Sequence, residues 1–250
     1  MTSDKIFIIT HKKFHSLARK NSTLYFPLLV GVENGNTGEN FYLKDNNGKN
    51  ISSQNESYCE LTGLYWIWQN TSANIVGLEH YRRYLVDNNL LLKKEEIDNV
   101  LEKYDIILPQ KTEYLTSSAK HFSKYHDPLV LVFCRDIISK VYPEYVKDFD
   151  WFSYQKCGYS YNMFISKKSL IDNYCNWLFN ILFELEKEVD LSRYDDYNKR
   201  MFGFVAERLF NVWIHHQNLR VKEYSVLYTG PKVSVKERIK AKLIRTVHKL

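Results

Sequence analysis

Short apolar runs alternate along this chain with longer segments whose apolar positions recur every three to four residues. Lys5–Thr10 (KIFIIT) is almost wholly apolar between its ends and reads as a strand. A second apolar run, Tyr25–Glu33 (YFPLLVGVE), predicts another strand after Pro27. Glu33–Ser57 is rich in Asn, Gly and Ser and reads as a long loop, a kind of segment that in a compact domain is either functional or disordered. Ser57 followed three residues later by Glu60 is a capping-box signature, and Leu61, Leu64, Tyr65 and Trp68 then share one helical face, so a helix is expected over Ser57–Asn70. Asn74–Leu78 and Asp105–Pro109 predict strands, with a helix over Lys93–Tyr104 between them.

Asp127–Tyr145 predicts a helix limited by Pro143. Gly158–Lys168 reads as a strand, Ser169–Val189 and Arg200–His216 as amphipathic helices, and Val221–Tyr228 as a last strand. Strands alternating with helices make an α/β layered fold. With no internal repeat or linker before the tail, residues 1–233 are expected to form one domain and residues 234–250 an appended segment.

Composition narrows the picture. An apolar share of 44% with 15% aromatics in 250 residues can build a substantial core, which excludes wholesale disorder. The 19 tyrosines offer apolar faces with polar tips, suited to sugar and nucleotide pockets, although most must be ordinary packing. Cys59, Cys134, Cys157 and Cys175 form no CxxC pair, so neither a zinc site nor a disulfide framework is indicated. The first apolar run is too short for a signal peptide, and no run reaches the roughly 18 apolar residues of a membrane span. The expectation is a reduced, soluble, cytoplasmic protein.

Net charge is +6, and it is concentrated in Ser234–Leu250, where six basic residues face the single acid Glu237. The rest of the chain is nearly neutral, which argues against a nucleic-acid-binding domain with a basic face. In the tail, Ile239, Leu243 and Val247 recur at helical spacing, joined by Ile244, among lysines and arginines. This predicts a basic amphipathic helix able to lie on an anionic membrane surface, each basic residue adding about 1 kcal/mol of attraction. The competing reading is a helix packed on the domain.

The chain has no GxxxxGK[ST], GxGxxG or GxSxG motif. Its most pointed feature is the strand Ile75–Leu78 running straight into Glu79-His80-Tyr81-Arg82-Arg83-Tyr84. Ligands of open α/β sheets bind beyond the carboxyl ends of strands, and arginine's planar fork suits phosphate oxygens, so His80, Arg82 and Arg83 are candidates for a diphosphate clamp. The alternative is a pair of surface arginines bonded to neighbouring carboxylates. Later acids, Asp195 and Asp196 in RYDDYNKR and Glu207 in GFVAERLF, are candidates for the base of a group transfer. The aspartates could equally cap a helix or bind a divalent cation, and the glutamate could be an ion-paired surface group. His121 and His126 stand five residues apart, poor helical metal spacing, and are assigned hydrogen-bonding roles.

Four stretches, NGKNISSQNESYCELTGLYWIWQN, IVGLEHYRRYL, YNMFISKKSLIDNYCNWLFNILFELE and RMFGFVAERLFNVWI, taken together resemble one family. It comprises bacterial glycosyltransferases of capsular-polysaccharide, exopolysaccharide and O-antigen loci, long classed as a domain of unknown function, and the resemblance covers most of residues 5–215. It implies a GT-A-like nucleotide-sugar transferase domain with its donor at the carboxyl ends of the central strands. It also implies transfer of a sugar, with galactofuranose from its UDP form as the leading guess, to a growing, lipid-linked glycan.

The positions that match are Asn50, Asn55, Tyr58, Glu60, His80, Arg82, Arg83, Asn162, Arg200, Glu207 and Arg208; Thr10 and His11 are added by analogy with the fold. A DxD does not follow the Ile75–Leu78 strand, where HYRR stands instead, so a metal-independent donor site is favoured, with Mn²⁺ or Mg²⁺ as the alternative. The later Asp148-Phe149-Asp150 reads as a solvated loop. The resemblance and the basic tail together imply a protein at the inner face of the plasma membrane. Two rivals are a non-catalytic carbohydrate- or nucleotide-binding subunit and a membrane-recruited scaffold.

Overall fold

The computed structural model describes residues 3–231, and all structural statements below concern those residues. The predicted tail helix at 234–250 lies outside them.

One sheet organises the molecule. Its strands are β1 (Lys5–Thr10), β2 (Tyr25–Leu29), β3 (Leu43–Lys44), β4 (Ile75–His80), β5 (Arg83–Asp87), β6 (Leu90–Leu91), β7 (Ile106–Pro109), β10 (Phe164–Lys167) and β11 (Val221–Tyr228), while β8 (Thr112–Glu113) and β9 (Cys157–Gly158) form a separate pair. The order across the sheet is β3-β2-β1-β4-β10-β7-β11-β5-β6. β1 lies parallel to both β2 and β4, and β10 runs antiparallel between β4 and β7. β5 turns back from β4 through the pair His80↔Arg83 and also pairs antiparallel with β11. The carboxyl ends of β1, β2 and β4 therefore meet the amino ends of β5 and β10 at one sheet edge.

The helices are α1 (Asn55–Tyr58), α2 (Leu61–Asn70), α3 (Lys94–Leu101), α4 (Ser118–Ser123), α5 (Leu129–Val141), α6 (Val146–Tyr154), α7 (Lys168–Glu188) and α8 (Met201–His216). Core residues of α2, α5, α7 and α8 pack on one face of the sheet with Phe7, Val76 and Leu78. On the other face, Ile97 and Leu101 of α3 pack with Ile6, Ile8, Tyr84 and Ile165. α7 and α8 supply several of the largest buried rings, including Tyr174, Phe202, Phe210 and Trp213. Among the described residues no helix is long and apolar enough to cross a membrane.

Two local expectations are corrected, the capped helix over Ser57–Asn70 and the loop at Asp148–Asp150. The helix predicted from Ser57 to Asn70 is broken at Cys59, whose φ of 51° is left-handed. No capping box forms, since the Ser57 hydroxyl donates to the Gln54 carbonyl instead. The Glu33–Ser57 loop is ordered around Asp45, which is fully buried. Its carboxylate accepts from the Gly31 and Val32 amides and from the Ser52 and Thr62 hydroxyls at 2.6–3.3 Å. Asp148 and Asp150 stand on helix α6, not on a loop; Asp148 binds His215 and His216, and Asp150 takes a two-pronged bond from Arg135.

Candidate active site

A cavity of about 630 Å³ opens at the sheet edge where β1 and β4 end. Thr10 and His11 enter it from the end of β1, His80 and Tyr81 from the end of β4, and Arg83 from the start of β5. Asn55, Cys59 and Glu60 line it from the broken α1–α2 junction, and Arg200, Phe204 and Glu207 close it from α8 and the turn before it.

A two-residue turn holds this wall together. Tyr161 and Asn162, just ahead of β10, both have left-handed backbones, at φ 75° and 52°. Consecutive non-glycine residues in that region are sparse and strained, and persist only where their surroundings over-determine them. Here they are fixed on three sides. The Tyr161 N–H donates to Glu207 Oε1 at 2.9 Å, and the Tyr161 carbonyl accepts from His80 Nε2 at 2.6 Å. The Asn162 amide donates to Glu60 Oε1 at 2.7 Å and to the Gly203 carbonyl at 3.2 Å.

The electrostatics divide by element. Glu207 is pushed above the usual carboxylate range chiefly by burial, partly opposed by Arg208. Arg208 is itself buried, donates to Glu207 Oε2 at 3.2 Å, and contacts His121 Nδ1 through Nη2 at 3.1 Å. Burial lowers the pKa of His80, Arg83 adds to that, and Glu60 opposes it. His11 is likewise lowered, by burial and then by Lys12, Arg82 and Arg200. Arg83 lies over the Tyr161 ring at 4.5 Å, a cation–π contact that aligns its guanidinium along the wall. Arg200 reaches Cys59 Sγ at 3.2 Å.

Of the residues singled out from sequence, Thr10, His11, Asn55, Glu60, His80, Arg83, Arg200 and Glu207 converge on the cavity. Asn162 and Arg208 stand behind it, supporting Glu60 and Glu207. The others are placed elsewhere. Tyr58 is core, with its hydroxyl on Glu186 and its ring against Phe202. Arg82 does not line the cavity and lies over the Tyr81 ring instead. Asn50 stays in its loop, bonded to Gly48 and Ser52. Asp195 and Asp196 do not reach the cavity wall: Asp195 caps the short turn at Asn198, and Asp196 is fully exposed beside Lys199. Of the readings open from sequence, the cap is the one that the Asp195 hydrogen bond fits. Sequence reasoning missed Tyr161, Cys59, Tyr81 and Phe204. Tyr161 acts through its backbone, which leaves no mark on residue type.

Among the described residues no three His, Cys, Asp or Glu side chains are gathered as a metal-ligand set. The cavity is lined by the cations Arg83 and Arg200 as well as by the carboxylates Glu60 and Glu207.

Residues 5–218 match a family described as a domain of unknown function, DUF4422. The chain belongs to that family. A solved structure described as the WbbM bifunctional glycosyltransferase in its apo form is similar to this DUF4422 chain, at 31% identity and a TM-score of 0.83 over 92% of the chain. The chain spans about half of that structure's chain, 46% of it. No curated protein matches the chain.

Proposed function

We propose that this chain is a glycosyltransferase that moves a sugar from a nucleotide donor to a bacterial surface glycan. The observation that carries the reading is the cavity at the carboxyl edge of β1 and β4, lined by Arg83 and Arg200 together with the mostly buried carboxylate Glu207. Its volume of about 630 Å³ is of the size that encloses a nucleotide-sized ligand. Guanidinium groups bind diphosphate oxygens in a forked geometry, so Arg83 and Arg200 would hold the leaving group. The likeness to a bifunctional glycosyltransferase supports the reaction class.

UDP-galactofuranose is the leading donor and a lipid-linked glycan the acceptor, both resting on the family resemblance. With two arginines to neutralise the diphosphate, transfer is proposed to need no metal. The tail is proposed to hold the enzyme at the membrane surface.

Purified protein incubated with radiolabelled UDP-sugars and lipid-linked acceptors tests this directly. Transfer is expected, at a rate unchanged by EDTA. Tight nucleotide-sugar binding without turnover would replace the enzyme by a binding subunit. Activity lost to EDTA and restored by Mn²⁺ would refute the metal-free donor site.

A further inference from the structure

Glycosyl transfer requires a group to take the proton of the acceptor hydroxyl, and the carboxylates and imidazoles that line the cavity are His11, Glu56, Glu60, His80 and Glu207. Resting on the glycosyltransferase reading, we propose that His80 is the catalytic base, accepting the acceptor's proton at Nδ1 while the Tyr161 carbonyl fixes its tautomer.

The tautomer follows from one contact. His80 Nε2 lies 2.6 Å from the Tyr161 carbonyl oxygen. A carbonyl only accepts, so Nε2 carries the hydrogen, and a neutral imidazole then holds its lone pair at Nδ1. Nδ1 has no hydrogen-bond partner among the described residues, and the ring lines the cavity. The carbonyl cannot easily drift, because the same residue's N–H is bonded to Glu207 and its backbone sits in the left-handed turn. The ring is therefore oriented by main chain from one side and open on the other. That arrangement holds a base in place without protonating it.

The surrounding charges suit the role. The charged and titratable groups that line the cavity with His80 are Glu56 on α1, Cys59 and Glu60 at the α1–α2 junction, Arg83 on β5, Glu207 on α8, Arg200 before α8, His11 after β1, and the Tyr81 and Tyr161 hydroxyls. Burial and Arg83 keep the resting ring neutral, whereas Glu60 favours the imidazolium once a proton arrives. Glu60 in turn is held by Asn162.

Glu207 is the less available base. Both its oxygens are engaged, by the Tyr161 N–H and by Arg208. Protonating it would leave the buried Arg208 guanidinium without its counter-ion, a costly state. Its role here is positioning, by anchoring the turn that orients His80.

In the proposed step, the acceptor hydroxyl oxygen bonds to the donor's anomeric carbon. The bond from that carbon to the diphosphate oxygen breaks, and its electron pair leaves on the nucleoside diphosphate. The hydroxyl proton passes to His80 Nδ1 and later to solvent.

His80→Gln tests the assignment, because the glutamine amide still offers a donor to the Tyr161 carbonyl but has no basic lone pair. Donor affinity is measured by calorimetry, and transfer across pH by steady-state kinetics. The expected result is donor affinity within about threefold of the parent, kcat lower by about 10²- to 10⁴-fold, and loss of the acid limb of the kcat/KM profile. Glu207→Gln should lower kcat by about tenfold and keep that limb. The proposal is overturned if His80→Gln weakens donor binding as much as it lowers kcat, which would make His80 a phosphate ligand. It is also overturned if the acid limb disappears in Glu207→Gln and survives in His80→Gln.

Nitrogen chemical shifts of the His80 ring in the unmodified protein give a readout independent of transfer. An Nδ1-protonated neutral ring sinks the proposal whatever the activity. The described tautomer together with no transfer from any UDP-sugar sinks the glycosyltransferase reading, and the base assignment falls with it.

Discussion

Glu79 and Glu207 are both carboxyls raised by burial, and they sit on opposite sides of the sheet. Glu79 is fully buried in the face packed against α3, near Tyr25 and Tyr84. Its Oε1 accepts the Leu85 N–H at 3.1 Å, its Oε2 has no partner among the described residues, and burial pushes its pKa up to about 8. Glu207 keeps 19% of its side chain exposed, borders the cavity and is paired with Arg208. Depth alone thus raises a carboxyl in either place. What separates a structural acid from a functional one is a charged partner and access to a ligand. Glu79 has neither.

Removing the partner is the harshest way to break this contrast. Arg208→Met leaves Glu207 uncompensated in a mostly buried position and is expected to cost about 3 kcal/mol, read by urea unfolding. Unchanged stability would show that the pair contributes nothing.

Changing the acid without a partner acts through pH. The folded pKa of Glu79, about 8, lies above the ordinary 4.5, so the folded state holds a proton that the unfolded chain releases. The stability this group confers is complete below pH 4.5 and is lost as pH rises from there through about 8. At about 1.4 kcal/mol per pH unit, the loss across that window is on the order of 5 kcal/mol. Glu79→Gln should flatten this slope, being less stable than the parent near pH 5 and level with it or better near pH 8. An unaltered pH dependence would mean the carboxyl is already ionised in the fold.

Glu207→Gln sharpens the comparison further. It should destabilise by about 2 kcal/mol at pH 7, because the lost partner belongs to a permanent cation. No loss of stability there would erase the distinction between the two sites. The smallest effect belongs to Asp196→Asn, which should leave both stability and transfer unchanged, since the group is fully exposed.

The elements that periodicity could report were legible. Runs such as KIFIIT, the long repeat of α7 and the face of α8 bury one stripe or two faces, and burial selects residue type directly. The convergence of His80, Arg83 and Glu207 was partly legible too, because charged residues directly after a buried strand are conspicuous. Illegible were features set by distant partners. The break at Cys59 is held by the Asn55 amide on the Cys59 carbonyl, and the order of the 33–57 loop by Asp45. Nothing near Tyr161 in sequence tells that its peptide spans from His80 to Glu207. The separation of Arg82 from Arg83 turns on the tight reversal between β4 and β5, which sends neighbouring side chains to different places.

Adjacent letters in β4 carry opposite duties, since Glu79 pairs across from Ile8 and His80 from Ile9, and successive side chains leave a strand on alternate sides. A single-residue deletion within the strand would push the imidazole among the greasy side chains and thrust the carboxyl toward the ligand. This segment can therefore drift by substitution but cannot shift frame, so natural length variation should collect in the flanking loops and spare Ile75–His80.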